Sequence, residues 1–156
     1  YGDNASVTAT TNGNSSDIDV QVGTTGGTNG GSDDVTISIT NPGNSNTIST
    51  NVGTTASNVD DVNIDIDLTS GSGSNTVTVT ENSTATSITD KTTDIDIDGS
   101  TNTVTATKSG ASQHDTFINH TGSSSTLSVT QSGAEASTVD VNTNGSSSSV
   151  TINVSD

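Results

Sequence analysis

Two short stretches concentrate the residues able to do chemistry. Asp65 and Asp67 alternate with Ile64 and Ile66, and Asp94, Asp96 and Asp98 alternate with Ile95 and Ile97. Successive strand side chains point to opposite faces, so each stretch would carry carboxylates on one face and isoleucines on the other. As neighbours in a parallel sheet, the two carboxylate rows would lie about 4.8 Å apart. Carboxylates that close repel, and a hard cation with oxygen ligands, Ca2+, would relieve them. Asp65, Asp67, Asp94 and Asp96 are therefore the candidate metal ligands, and calcium is the one candidate cofactor. The plainer reading is solvated outward charge that discourages lateral aggregation. It is favoured, because the GGxGxDxUx calcium-roll repeat is absent. Asp33 with Asp34, and Asp60 with Asp61, read as solvated loop ends. His114 and His120 lie near Asp115 in a Ser-rich chain, where such proximity has no specificity, so no catalytic site is assigned and the chain is expected not to be an enzyme. Asn-x-Ser/Thr sequons at Asn4, Asn14, Asn82, Asn119, Asn144 and Asn153 are about as many as this composition gives by chance.

What elements would position these rows? The 156 residues fit a single repeat domain over 1–156. Only 24% are hydrophobic and the net charge is −16, against roughly 45–50% apolar residues in an ordinary globular domain. By composition alone this is the mark of disorder. The identity of the apolar residues points the other way. They are nearly all Val and Ile, which with the abundant Thr are β-branched and favour strands. No amphipathic helix can be drawn, so the expected class is all-β.

The absences narrow the function further. There is no cysteine for a disulfide or thiolate site, and no apolar run long enough to span a membrane. Lys91 and Lys108 are the only cations besides histidine, which excludes nucleic acid and anionic membrane as natural partners. With no Met, the chain reads as a processed mature form or a fragment beginning at Tyr1, and its acidity suits saline or extracellular surroundings.

An internal repeat lies under the low complexity. One set of run-opening apolar residues is Ile18, Ile48, Val77, Val104, Leu127 and Val150; the interleaved set is Val7, Val35, Ile64, Ile95, Phe117 and Val139. Turn-forming segments such as TNGNSS, NPGNSN and TSGSGSN separate the runs, with the longer GTTGGTNGGSD elsewhere. This predicts twelve short strands in six two-strand units. An antiparallel sandwich would call for larger, often aromatic, residues between sheets about 10 Å apart. A β-solenoid of about six strand-turn-strand coils needs only Val, Ile and Ala in a narrow slot, and is the preferred architecture.

Ser125-x5-Gln131-x-Gly133 matches the first half of the curli repeat, Ser-x5-Gln-x-Gly-x4-Asn-x5-Gln. Thr138 and Asn144 depart from its second half. Asn102-x5-Lys108-x-Gly110 keeps the spacing with other anchors, and Ser16-x5-Val22-Gly23 and Asn46-x5-Val52-Gly53 keep the strand with glycine one place early. The chain thus resembles a divergent curli fibre subunit. That resemblance implies a secreted protein polymerising end to end into an extracellular, amyloid-like fibre of biofilms, with inward Gln and Asn ladders. It also implies secretion or nucleation partners. The first and last strands resemble the middle ones and carry no polar cap, as suits a polymer subunit. The expected polymer contacts are Val7 and Ala9 at one end and Val150, Ile152 and Val154 at the other, with 149–154 sharing a coil with, or stacking directly on, 6–10 of the next subunit. An ice-binding solenoid, suggested by Thr-x-Thr at 8–10, 76–80 and 103–107, and an adhesin stalk are the alternatives.

Overall fold

The computed structural model describes residues 4–23, 34–53, 59, 61–69, 73–83, 90–110, 113–133 and 136–155. They form twelve strands: β1 (Asn4–Thr10), β2 (Asp17–Val22), β3 (Asp34–Thr40), β4 (Thr47–Val52), β5 (Asp61–Leu68), β6 (Thr76–Ser83), β7 (Asp90–Asp98), β8 (Thr103–Gly110), β9 (Gln113–Thr121), β10 (Thr126–Ser132), β11 (Thr138–Asn144) and β12 (Ser149–Ser155). Odd strands form one six-stranded sheet in the order β1-β3-β5-β7-β9-β11, and even strands form the other, β12-β10-β8-β6-β4-β2. Every pairing is parallel. The chain alternates between sheets, so each coil contributes one strand to each, and five turns separate β1 from β11. This is the expected β-solenoid. The strands alternate between buried and outward residues, and the inward rows of Ile37, Ile64, Ile66, Ile48, Val77, Leu127 and their neighbours form one continuous core.

The even sheet follows the expected register: Ile18, Ile48, Val77, Val104, Leu127 and Val150 stand in one column. The odd sheet departs from the expected phase. Val7 pairs with Ile37 rather than Val35, and the column continues through Ile64, Thr93 and Thr116 to Val139. Ile95 sits one pair further along, and Phe117 lies half-buried on the outer face between Asp94 and Asp140. The reason is physical: β7 and β9 turn Lys91, Thr93, His114, Thr116 and His120 inward, all buried. The apolar alternation that marks the other strands is therefore missing there.

The short connections stack as closely as the strands. The backbone N–H of Ser16 donates to Asn46 Oδ1 (2.9 Å), that of Asn46 to Asn75 Oδ1 (3.0 Å), and that of Asn75 to Asn102 Oδ1 (2.9 Å). The series continues from Asn102 to Ser125 Oγ (3.1 Å) and from Ser125 to Ser148 Oγ (3.4 Å). One polar ladder thus runs the length of the molecule. The residue before each rung, Ser15, Ser45, Ser74, Thr101, Ser124 or Ser147, has positive φ between 57° and 63°, a strained choice for a non-glycine residue. Its repetition in every coil shows that the stack imposes it. Three residues before the rung stand Gly13, Gly43, Gly99, Gly122 and Gly145. A Cβ on Gly43 would fall on the Gly13 carbonyl oxygen, and one on Gly145 would fall on that of Gly122. The stacked backbones leave no room for a side chain.

Candidate functional site

Three surfaces and one buried cluster carry the chemistry. The cluster lies at one end of the slot in the middle coils. The column that includes Gln131 reads Val22, Val52, Glu81, Lys108, Gln131 and Val154. With three glutamines in the chain no glutamine ladder forms in this column, and the stacked polar rungs are instead the Asn and Ser of the short connections, yet two successive coils use one bonding scheme. Lys108 Nζ crosses the slot to donate to the carbonyls of Lys91 (3.0 Å) and Asp115 (2.7 Å). One coil on, Gln131 Nε2 donates to the carbonyls of His114 (3.0 Å) and Thr138 (3.4 Å). Likewise Thr93 Oγ1 donates to Glu81 Oε1 (2.7 Å) and Thr116 Oγ1 to Gln131 Oε1 (2.5 Å).

Lys108 Nζ also pairs with Glu81 Oε1 at 3.4 Å, and Lys91 Nζ donates to the Val59 carbonyl. Burial lowers the pKa of the Lys108 ammonium, against the nearby Glu81 carboxylate, which favours its charge. His114 sits among them fully buried, its ring nitrogens without a well-formed hydrogen bond. Burial, reinforced by Lys108 and Lys91, lowers its pKa to about 4. Both lysines are thus inside, and no arginine exists to replace them at the surface.

The outer face of the odd sheet is correspondingly anionic. Asp65 pairs with Asp94, and Asp67 with Asp96, so the two rows are neighbours as the alternation predicts. A second column stacks Asp34 on Asp61 beside Asp90. Burial, then Asp96 and Asp65, raises the pKa of Asp94, and its Oδ1 has no hydrogen-bond partner. Protein donors engage two of the others: Thr69 Oγ1 donates to Asp67 Oδ1 (2.6 Å), and Asn119 Nδ2 donates to Asp96 Oδ1 (2.9 Å). Among the described residues no group of three or more His, Cys, Asp or Glu side chains is arranged to hold a metal ion. Asp33 and Asp60 lie outside the described residues, as does most of the GTTGGTNGGSD segment.

The outer face of the even sheet is different in kind. Across β6, β8 and β10 it presents Thr76-x-Thr78-x-Thr80, Thr103-x-Thr105-x-Thr107 and Thr126-x-Ser128-x-Thr130, in register. The first two rows are the Thr-x-Thr stretches read from the sequence, and β10 adds a third with Ser128 at its centre.

The third surface is the pair of ends. β1 and β11 are the edge strands of the odd sheet, and β2 and β12 those of the even sheet. Val150, Ile152 and Val154 continue the core columns yet are 43%, 46% and 50% exposed. At the other end Ala5, Val7, Ala9 and Ile18 are only partly covered. Since β1 and β12 belong to opposite sheets, they cannot extend one ladder. A junction that kept each sheet continuous would set 149–154 across the slot from 6–10 rather than directly upon it. Of the curli-like motif, Ser125 is a rung of the polar ladder, Gln131 bridges the sheets, and the Gly133 N–H donates to the Ser155 carbonyl (3.2 Å).

Comparison with known proteins gives no matching family model, no matching curated protein and no matching solved structure.

Proposed function

We propose that this chain is the structural subunit of an extracellular, amyloid-like fibre of the curli type, built by end-to-end stacking of solenoids. The observation that carries this reading is the state of the ends. Edge strands with unpaired ladder groups are templates for another chain, and proteins that stay monomeric blunt them with charge, proline or a covering element. Here the outermost strand, β12, instead carries Val150, Ile152 and Val154 toward the open end of the slot. Its partner is another copy of itself, and its role in a biofilm matrix or in surface adhesion is mechanical. Electron microscopy of the purified chain tests this: long unbranched filaments are expected, and persistent monomers would refute it. Calcium, if it acts, does so by bridging Asp65/Asp67 to Asp94/Asp96. Polymerisation in CaCl2 should then exceed that in NaCl of equal ionic strength, and the advantage should vanish in Asp65→Asn/Asp94→Asn.

A second reading has its own observation. The in-register threonine array of β6, β8 and β10, interrupted by Ser128, sets hydroxyl and methyl groups in successive rows, the kind of face that orders water and adsorbs to ice. Thermal hysteresis by the monomer, lost on replacing Thr78, Thr105 and Thr107 with lysine, would favour ice binding over the fibre.

A further inference from the structure

We propose that Lys108 and Glu81 become covalently joined in the folded chain, by an amide between Nζ of the first and Cδ of the second. The inference goes beyond the fibre reading and does not rest on it.

The fold holds the two groups together out of water. β6 and β8 are neighbours in the even sheet, with Glu81 directly opposite Lys108, and both side chains are fully buried. Nζ lies 3.4 Å from Oε1, and Cδ, the carbon to be attacked, is bonded to that oxygen. Holding two reactants in place can be worth an effective concentration of about 10⁵–10⁸ M.

The two oxygens of Glu81 have different surroundings, and these assign their roles. Oε1 accepts a hydrogen bond from Thr93 Oγ1 (2.7 Å), whereas Oε2 is buried without a hydrogen-bond partner. The reaction is a condensation. The ammonium first gives one proton to the carboxylate, leaving a neutral amine and a neutral acid. Burial, which lowers the pKa of the Lys108 ammonium, favours that exchange. The nitrogen lone pair then attacks Cδ, and the Thr93 hydroxyl stabilises the charge that develops on Oε1. The surplus proton on nitrogen passes to Oε2, which leaves as water, while Oε1 remains as the amide oxygen. Atoms and charge balance with no oxidant or co-reactant. The product is neutral, and its one N–H can donate to the Lys91 or the Asp115 carbonyl, both already within reach of Nζ.

The next coil shows that hydrogen bonding alone does not call for this pair. Gln131 bonds two carbonyls across the slot and accepts the Thr116 hydroxyl, with no charge at all. Replacing a buried ion pair by neutral residues is often neutral or stabilising. An amine beside a carboxyl can do one thing a pair of glutamines cannot do as readily, which is to condense. The bond would tie two successive middle coils to each other.

Intact mass and trypsin digestion of the denatured wild-type chain test this. The linked chain should be lighter than its sequence by one water. Lys91 and Lys108 are the only trypsin sites, so an unlinked chain gives three peptides, 1–91, 92–108 and 109–156. A linked Lys108 is no longer cleaved, and 92–156 stays joined to 1–91 through Glu81, so digestion should leave a single covalent species. Lys108→Gln, which can adopt the Gln131 bonding scheme, should keep the wild-type circular dichroism spectrum, have its full sequence mass, and release 92–156 from 1–91. Folded wild-type chain of full sequence mass that yields the three peptides would overturn the cross-link, as would loss of water that persists in Lys108→Gln. The wild-type measurement decides by itself, whether or not the variant folds.

Discussion

The middle coils and the end coils of this solenoid solve opposite problems with the same backbone. In the middle, β6 to β9 bury Glu81, Lys91, Lys108 and His114 between the sheets. At the ends, the inward columns finish in Ala, Val, Ile, Ser and Thr, none of them charged and most of them only partly covered. A buried ion pair is weak evidence for stability but fixes register, because shifting one strand would strand a charge in the core. An apolar end has no such demand and accepts any matching surface. The lesson is that register is held internally where a slip is most damaging, while the end strands carry no such lock.

Mutations can break that contrast, the largest effects coming from the middle. Glu81→Ala would leave Lys108 buried without its counter-ion, which costs about 3–5 kcal/mol. Chemical denaturation should therefore show a large loss. Val154→Ala, in the same column but half-exposed, should cost well under about 1 kcal/mol by comparison. If the two losses were alike, the buried cluster would not be the register device described here. Gly122→Ala comes next: its Cβ falls on backbone that cannot move aside, and a loss of about 3 kcal/mol, the upper range for overpacking, is expected.

Acid provides a graded probe of the same cluster. The folded-state pKa of His114 is about 4, below its ordinary 6.5. The unfolded chain then binds more protons between those values, so stability falls as pH drops from 6.5 toward 4, by on the order of 2 kcal/mol. Asp94 acts in the opposite sense, since a raised carboxyl pKa makes acidification stabilising as pH falls through it. The clean measurement is denaturation between pH 7 and 4.5 in an Asp94→Asn background, where His114→Leu should flatten the slope. An unchanged slope would mean that another group titrates. Asp94→Asn alone should give the smallest effect, a gain under about 1 kcal/mol at neutral pH that shrinks with salt.

Much of this was legible in the sequence, for reasons that also explain what was not. The even-sheet column from Ile18 to Val150 could be read because each run opens with an apolar residue after a polar turn. That the Asp65/Asp67 and Asp94/Asp96 rows neighbour one another followed from alternation together with the coil repeat, but the expected phase, Ile64 over Ile95, would have set Asp65 against Asp96 rather than Asp94. The odd-sheet phase was obscured at β7 and β9, where inward positions are Lys, Thr and His and the one phenylalanine faces out. Polar residues carry no inward signal until their partners across the slot are known. The ladder rung at Asn75 and the glycine column were missed, although both keep a fixed offset. A glycine three places before the rung was a signal available in Gly13, Gly43, Gly99, Gly122 and Gly145, though Asn75 has Ser72 at that place.

In the proposed fibre one subunit would occupy six successive layers, and mass per unit length tests this most directly. Six strands per sheet at about 4.8 Å each span about 29 Å. A single-file filament should therefore carry one 15.4 kDa chain per about 29 Å of length, by scanning transmission electron microscopy of unstained filaments. A value near one chain per about 4.8 Å would mean that extended chains stack flat, each filling one layer, and would contradict the solenoid filament outright.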